Sequence, residues 1–357
     1  MQHPDICIAG AGIVGLTLAL ELHRRGYRVT VFDRGAALAE ASTAAAGMLA
    51  AGDPENPPVL RPLADLSLSL YPAFLQGLHA LSSLQVPFQT RTTLQSLSAH
   101  APDPTAALTD ADLAHLLPDL HPVRHRFMLL NEPSVDPRQL ATALLAAVQS
   151  TAIDLRLHTP ILSIKPIGDG VEVRAVTGSL STAKFIDCTG AWAASTSTTG
   201  AAVAPKKGQI LSLALPPSLP LDLVIRTPEV YIVPRTAGPG AGRAIIGATV
   251  EDAGFDKTVH ASDIANLRSL ATTLLPPLAR ASQLQAWAGL RPATPDGLPL
   301  LGRLSDAPNH FLATGHYRNG ILLAPATALV MAQLIAGEGS SLDLAPFSPS
   351  RFLLQSS

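Results

Sequence analysis

Three glycines in the phrase Gly10-Ala-Gly-Ile-Val-Gly sit between one apolar run and another, and they restrict this chain more than any other feature. The spacing G-x-G-x-x-G carries meaning only where a strand feeds a helix. That context is present: residues 5–9 read as a short buried strand, 14–25 as a helix closed by Gly26, and 28–33 as a second strand. Gly10 permits the tight turn, Gly12 lets the backbone approach a pyrophosphate, and Gly15 lets the helix lie close on the strand. The helix N-terminus then turns its free N–H groups and positive dipole toward the phosphates. Asp33 closes the second strand about 20 residues on, where a carboxylate accepts ribose hydroxyls and repels a 2′-phosphate, which disfavours NADP. A glycine-rich turn and a strand-ending aspartate remain the alternatives, and this unit alone does not separate NAD from FAD.

The rest of the chain is that of an ordinary globular protein long enough for two domains. Its 357 residues are 47% hydrophobic with a formal net charge of -2, and no run of Lys or Arg offers a footprint for nucleic acid or an anionic membrane surface. The apolar stretch 6–22 is too short and too glycine-broken for a membrane span, and it lacks the basic lead of a signal peptide. Cys7 and Cys188 both lie in apolar runs and read as buried thiols of a cytoplasmic protein. The histidines are scattered, so no metal site is expected, and no G-x-S-x-G nucleophile motif occurs.

Apolar residues spaced by three or four predict a long helix over 63–81, with a break at Pro72. Asp136 followed by Pro137 predicts a helix start. Strands are expected over 154–158, 161–164, 171–176 and 184–188, a strand-rich region over 208–250, a helix over 262–275 capped by Ser262, and a closing helix over 324–336. Nucleotide-type elements recur at the start, near Asp187 and at the end. The fold expected is therefore α/β, with a discontinuous Rossmann-like cofactor-binding domain (1–80, 145–205 and 286–357) and an inserted α+β substrate domain (81–144 and 206–285) carrying an antiparallel sheet.

Near the other terminus stand Trp287-Ala-Gly-Leu-Arg-Pro and Gly315-His-Tyr-Arg-Asn-Gly-Ile-Leu-Leu-Ala-Pro. They set two arginines beside a glycine turn that opens a helix. A guanidinium fork meets both oxygens of a carboxylate and stays charged at any working pH. Arg291 precedes Pro292, which biases it to extended backbone, and it is the expected primary clamp for a substrate carboxylate. Arg318 lies in the turn and faces either substrate, flavin edge or a structural ion pair. Tyr231 can donate its hydroxyl to the same carboxylate or serve only as packing. His316 is given no acid or base role, because a histidine inside such a turn is as often a hydrogen-bonded structural residue, and no catalytic acid or base is assigned. The turn at Asn319 and Gly320 opens the last helix, whose dipole favours negative charge on a reduced flavin. The small-residue stretch Ser42-Thr-Ala-Ala-Ala-Gly-Met-Leu suits backbone packed beneath a flat ring.

These phrases, with Ala44-Ala-Ala-Gly-Met-Leu, Ile186-Asp-Cys-Thr-Gly-Ala-Trp, Tyr231-Ile-Val-Pro-Arg and Ile246-Gly-Ala-Thr, make the chain similar nearly end to end to the D-amino-acid-oxidase family of flavoproteins, in its glycine oxidase branch associated with thiamine synthesis. The resemblance implies non-covalent FAD, which makes the discontinuous Rossmann-like domain an FAD-binding domain; neither cysteine falls in the C-terminal motif to tether it. It places Ile13, Val14, Asp33 and Arg34 at the adenosine end, with the backbone of Ile161 on the adenine. It places Ala46, Gly47 and Met48 near the flavin, and His316, Tyr317, Arg318, Asn319, Gly320, Ile321 and Leu322 against the isoalloxazine. Ala41, Ser42, Gly190 and Trp192 complete the expected cofactor site, and Tyr231, Arg291 and Arg318 the substrate site. The implied activity is oxidation of glycine, sarcosine or small D-amino acids with oxygen as acceptor, feeding thiazole synthesis, by a homo-oligomer. A dehydrogenase with another acceptor and a flavin-bearing partner subunit are the rivals. Two departures stand out: Asp33 replaces the commoner Glu, and Gly238-Pro-Gly-Ala-Gly lengthens the loop after Arg235, with consequences expected at the substrate entrance.

Overall fold

Strand Ile6–Ala9 is buried at every residue and takes the middle of a six-stranded sheet, parallel to Val29–Phe32 on one side and Lys184–Asp187 on the other. The computed structural model describes residues 4–97, 107–196 and 202–355. His310–Thr314 extends the sheet in parallel, Leu300–Arg303 closes that edge in antiparallel fashion, and Asp154–Arg156 closes the other. Strands buried on both faces read as continuous apolar runs, which is how Ile6–Ala9 and Val29–Phe32 appear in sequence. Helix Ile13–Arg24 leaves the first strand through the glycine turn, and its buried face joins that of the last helix in one core.

A seven-stranded, mostly antiparallel sheet forms the second body. Its order is Gln283–Ala293, Ala204–Ala214, Arg243–Gly247, Tyr231–Arg235, Val224–Arg226, Thr93–Ser96, Phe127–Leu130. The two eleven-residue strands pair along their length, with Ile210 opposite Trp287 and Lys206 opposite Arg291. Residues 283–293 thus belong throughout to this sheet and carry the Trp287 to Pro292 phrase from it to the nucleotide-binding side. A small sheet of Ile161–Ile167, Gly170–Ala175 and Gly178–Thr182 packs Ile164, Val171 and Val173 against Cys7, Phe32 and Phe185 of the first sheet; its third strand has no apolar alternation and lies outside the strands expected from sequence.

Helix Arg61–Ser82 runs through Pro72 rather than breaking there, because Pro72 sits on the solvent face, where water can serve the carbonyl it leaves unpaired. The last helix is longer than expected and begins at Gly320, with Pro325 inside it. Proline deprives Ile321 of its backbone partner, and the Tyr71 hydroxyl donates to that carbonyl at 2.5 Å. Ser67 repairs the next gap: its Oγ donates to the Leu322 carbonyl at 2.6 Å and accepts from Ala326 N at 3.1 Å. Helix Ala261–Leu274 starts after His260, not at a Ser262 cap. Helix Pro137–Gln149 starts as expected, with Asp136 Oδ1 accepting from Arg138 N at 2.9 Å.

Candidate functional site

Two cavities, of about 280 and 240 Å³, meet where the glycine turn faces the long strands. Both are lined by Gly12, Ala41, Ser42, Cys188, Gly190 and Pro292, so they form one elongated trough. The smaller end is built from Gly10, Asp33, Arg34, Ile161 and Trp192. Gly10 has φ +101, and a Cβ there would stand 2.4 Å from the Cys188 carbonyl oxygen. Gly15 lines neither cavity; a Cβ on it would fall 2.0 Å from the Gly10 carbonyl oxygen, so its role is helix-on-strand contact. The first helix has no side-chain cap of its own. Ser42 Oγ accepts from Ile13 N at 2.9 Å, and the rest of that N-terminus looks into the trough.

Asp33 already takes backbone donors, Ala11 N at 2.7 Å on one oxygen and Gly35 N at 2.8 Å on the other, which fixes its carboxylate at the wall of the smaller cavity. The Arg34 guanidinium stacks over Trp192 at 3.9 Å, and Phe255 stacks on Trp192 at 5.4 Å, giving that end an aromatic wall. These features fit a dinucleotide: glycine where backbone must approach phosphate, a helix start without a cap of its own, a carboxylate one strand away, and an aromatic and cationic end wall.

The larger end is bounded by Ile13 and Val14 at the helix start, by Ala46, Gly47 and Met48, by Tyr231 and Arg291, and by the turn His316, Tyr317, Arg318, Asn319, Gly320 and Ile321. Leu322 does not reach it. That residue is buried in the core, with its carbonyl held by Ser67, because the helix turns its side chain away from the cavity. Tyr317 N donates to the Pro292 carbonyl at 2.7 Å, which ties the two C-terminal phrases together.

Arg291 is held by carbonyls rather than by an acid. Its Nη1 donates to Thr249 O at 3.0 Å and to Lys207 O at 3.3 Å. The guanidinium lies flat on Gly208, where a Cβ would stand 2.3 to 2.5 Å from three of its atoms. Tyr231 stands beside it, over Gly247, where a Cβ would meet the phenol oxygen at 2.4 Å. Burial pushes the Tyr231 hydroxyl up, opposed by the Arg291 and Arg235 charges and by a hydrogen bond with Arg291. The phenol is a neutral donor at physiological pH.

Arg318 is differently placed. Its Nη2 lies 3.3 Å from Asp53 Oδ2, Nη1 hydrogen-bonds to Glu55, and the neighbouring Asn319 Nδ2 donates to Asn56 at 2.9 Å. Asp53 also lies 3.8 Å from Arg226, whose Nη2 donates to Glu132 at 2.9 Å and whose Nε donates to Gln95. The structural ion pair is therefore what this geometry shows for Arg318. Asp53, Gln95 and Arg226 line the cavity and were missed in the sequence; an arginine inside the apolar run before Thr227 was the available signal. The inserted glycine-rich loop is not at the entrance. Gly238–Gly240 packs against Asp136 and Gln139 and lines neither cavity.

His316 is buried, its Nε2 3.0 Å from Thr327 Oγ1, and burial lowers its pKa to about 4. It is a neutral hydrogen-bonded residue of the turn.

The fold and the joined cavities define a dinucleotide-binding protein. Residues 5–334 match the family of FAD dependent oxidoreductases, and the chain belongs to that family. Among its relatives, the glycine oxidase of Geobacillus kaustophilus (strain HTA426) is 31% identical, covering 98% of this chain and 97% of that protein. The bifunctional protein ThiO/ThiG of Trichormus variabilis is 36% identical over 99% of this chain, which spans 56% of that longer protein. The solved structure of the Geobacillus kaustophilus glycine oxidase superposes with a TM-score of 0.91, covering 98% of this chain and 99% of that one. No helix of the described residues is long and apolar enough to cross a membrane.

Proposed function

We propose that this protein oxidises the amine of glycine, and of amino acids little larger such as sarcosine, with FAD as cofactor and oxygen as electron acceptor. The observation that carries the reading is Arg291: a guanidinium at the cavity wall, oriented by two carbonyls and with no carboxylate partner among the described residues, beside the Tyr231 hydroxyl. Such a pair receives the carboxylate of a small zwitterion in bidentate fashion. Bound FAD supplies a hydride acceptor at the substrate α carbon and returns the electrons to oxygen as peroxide. The chain's own task is orientation, because a fixed carboxylate limits where the α carbon can point. His316 is neutral and hydrogen-bonded to Thr327, so it is assigned no part in taking the amine proton.

The cofactor contacts follow the same trough, with Gly10, Gly12, Ser42, Asp33, Arg34, Ile161 and Trp192 toward the adenosine and Ala46, Gly47, Met48 and the turn 316–321 toward the flavin. The ThiO/ThiG relatives support a role for the imine product in thiamine synthesis. The test is direct: purify the protein, record its visible spectrum, and measure peroxide with glycine, sarcosine and D-alanine. A yellow protein that releases peroxide with glycine supports the reading. One that oxidises glycine only with a quinone or dye would replace oxygen as acceptor, and one that binds FAD but turns over none of these amines would end it.

A further inference from the structure

The segment expected beneath the flavin is held from behind by side chains of the antiparallel sheet. Arg235 Nη2 donates to the Ala46 carbonyl at 2.8 Å, and Trp287 Nε1 donates to the Ala44 carbonyl at 3.0 Å. Val135 N donates to the Gly47 carbonyl at 2.9 Å. Three carbonyls of one short segment are thus drawn away from the cavity that Ala44, Ala46 and Gly47 line. In a trans peptide the C=O and the next N–H point in opposite directions. Binding the Ala46 carbonyl outward therefore turns the Gly47 N–H inward.

Arg235 is a strong candidate for more than packing. It is only 4% exposed, its Nη1 has no hydrogen-bond partner, and the nearest acid, Asp136, lies 3.8 Å from its Nε. That carboxylate is divided among other donors, Arg138 N at 2.9 Å and Gln139 Nε2 at 3.3 Å. Burial lowers the Arg235 pKa to about 10, which leaves it charged at neutral pH. A cation so weakly compensated, one peptide's thickness behind the cavity wall and away from water, acts on charge in that cavity with little screening.

We propose that Arg235 is a positioning residue for the flavin: it fixes the Ala46–Gly47 peptide with its N–H toward the ring and supplies positive charge that favours the reduced, anionic cofactor. The inference rests on FAD occupying the larger cavity and is independent of which amine is oxidised.

The test uses FAD-loaded protein and reads the midpoint potential, the visible absorption bands and the FAD dissociation constant, with circular dichroism as a check on folding. Arg235→Met is expected to lower the potential, by a tenfold change in the two-electron equilibrium or about 30 mV, and to weaken FAD binding severalfold. Arg235→Lys keeps the charge and is expected to recover most of the potential. Asp136→Asn keeps a competent helix cap while removing the counter-charge, and is expected to shift the potential upward. A folded Arg235→Met protein with unchanged potential and spectrum overturns the proposal, as does Asp136→Asn shifting downward or not at all. Should Arg235→Met fail to fold, the Lys and Asn variants decide by the same signs. None of these readouts uses glycine, so a protein that shows the shifts yet oxidises no amine sinks only the proposed substrate.

Discussion

Arg291 and Arg318 line one cavity, one from a strand and the other from a turn, and of the two only Arg291 has no carboxylate partner among the described residues. Arg291 comes from a strand that is paired along its whole length, lies on a glycine, and is oriented by the Thr249 and Lys207 carbonyls. Arg318 comes from a turn and is met by Asp53 and Glu55. Carbonyl dipoles orient a guanidinium without neutralising it, whereas carboxylates do both. The strand wall is thus arranged to receive an anion, and the turn wall to hold its own shape. The sequence left Arg318 open between substrate, flavin edge and ion pair because spacing records where a charge sits and not what already faces it.

The sharpest way to break this contrast is Arg291→Ala. Losing a buried clamp costs about 3 to 5 kcal/mol, so kcat/KM for glycine is expected to fall by about 10²- to 10⁴-fold, mostly through KM, with the yellow colour retained. Steady-state kinetics beside a visible spectrum checks it, and unchanged KM would remove Arg291 from the clamp.

The turn wall has its own signature, in acid. Burial holds His316 in the turn, and His310 at the start of the strand that leads to it and outside both cavities, at about 4, against about 6.5 in the unfolded chain. Because the folded state disfavours their protonation, the neutral histidines contribute fully above about pH 6.5, and that contribution is lost as pH falls toward 4. Each accounts for roughly 3 kcal/mol over that window. Urea unfolding of His316→Gln is expected to show a shallower loss of stability between pH 6.5 and 4 than the parent; parallel curves would contradict the assignment.

Gly208→Ala sharpens the comparison from the strand side. A Cβ would stand 2.3 Å from an Arg291 nitrogen, so the guanidinium must shift, at a cost of about 1 to 3 kcal/mol by overpacking. The expected result is a rise in KM for glycine with FAD binding unaffected, as judged by titration of the apoprotein. Smallest of all is Arg318→Ala. Its pairs are partly exposed, and exposed ion pairs contribute about 0 to 1 kcal/mol, so kcat/KM is expected to change less than tenfold. A loss equal to that of Arg291→Ala would show that Arg318 leaves its acids to bind substrate, and the contrast between the walls would fail.

Much of the nucleotide-binding half could be read from the chain itself. Gly10, Gly12 and Gly15 announce a turn whose geometry excludes side chains, and Asp136 with Pro137 announces a helix start, because these are local demands of the backbone. Pro72 misled for the complementary reason. A proline forbids one local hydrogen bond, and whether the helix survives depends on what faces the orphaned carbonyl: water at Pro72, and Tyr71 and Ser67 from a distant helix near Pro325.

The sequence by itself determined the glycine turn, the order of buried strands and the presence of two arginines beside a helix start, since each follows from near-neighbour sterics and periodicity. Only the tertiary structure decided which arginine keeps its charge available, that Leu322 belongs to the core, and that Arg235 and Trp287 brace the segment at Ala44 to Ala46 from another sheet. Electrostatic compensation and peptide orientation depend on groups brought together across 189 and 243 residues of chain, and no local pattern encodes a distance of that kind.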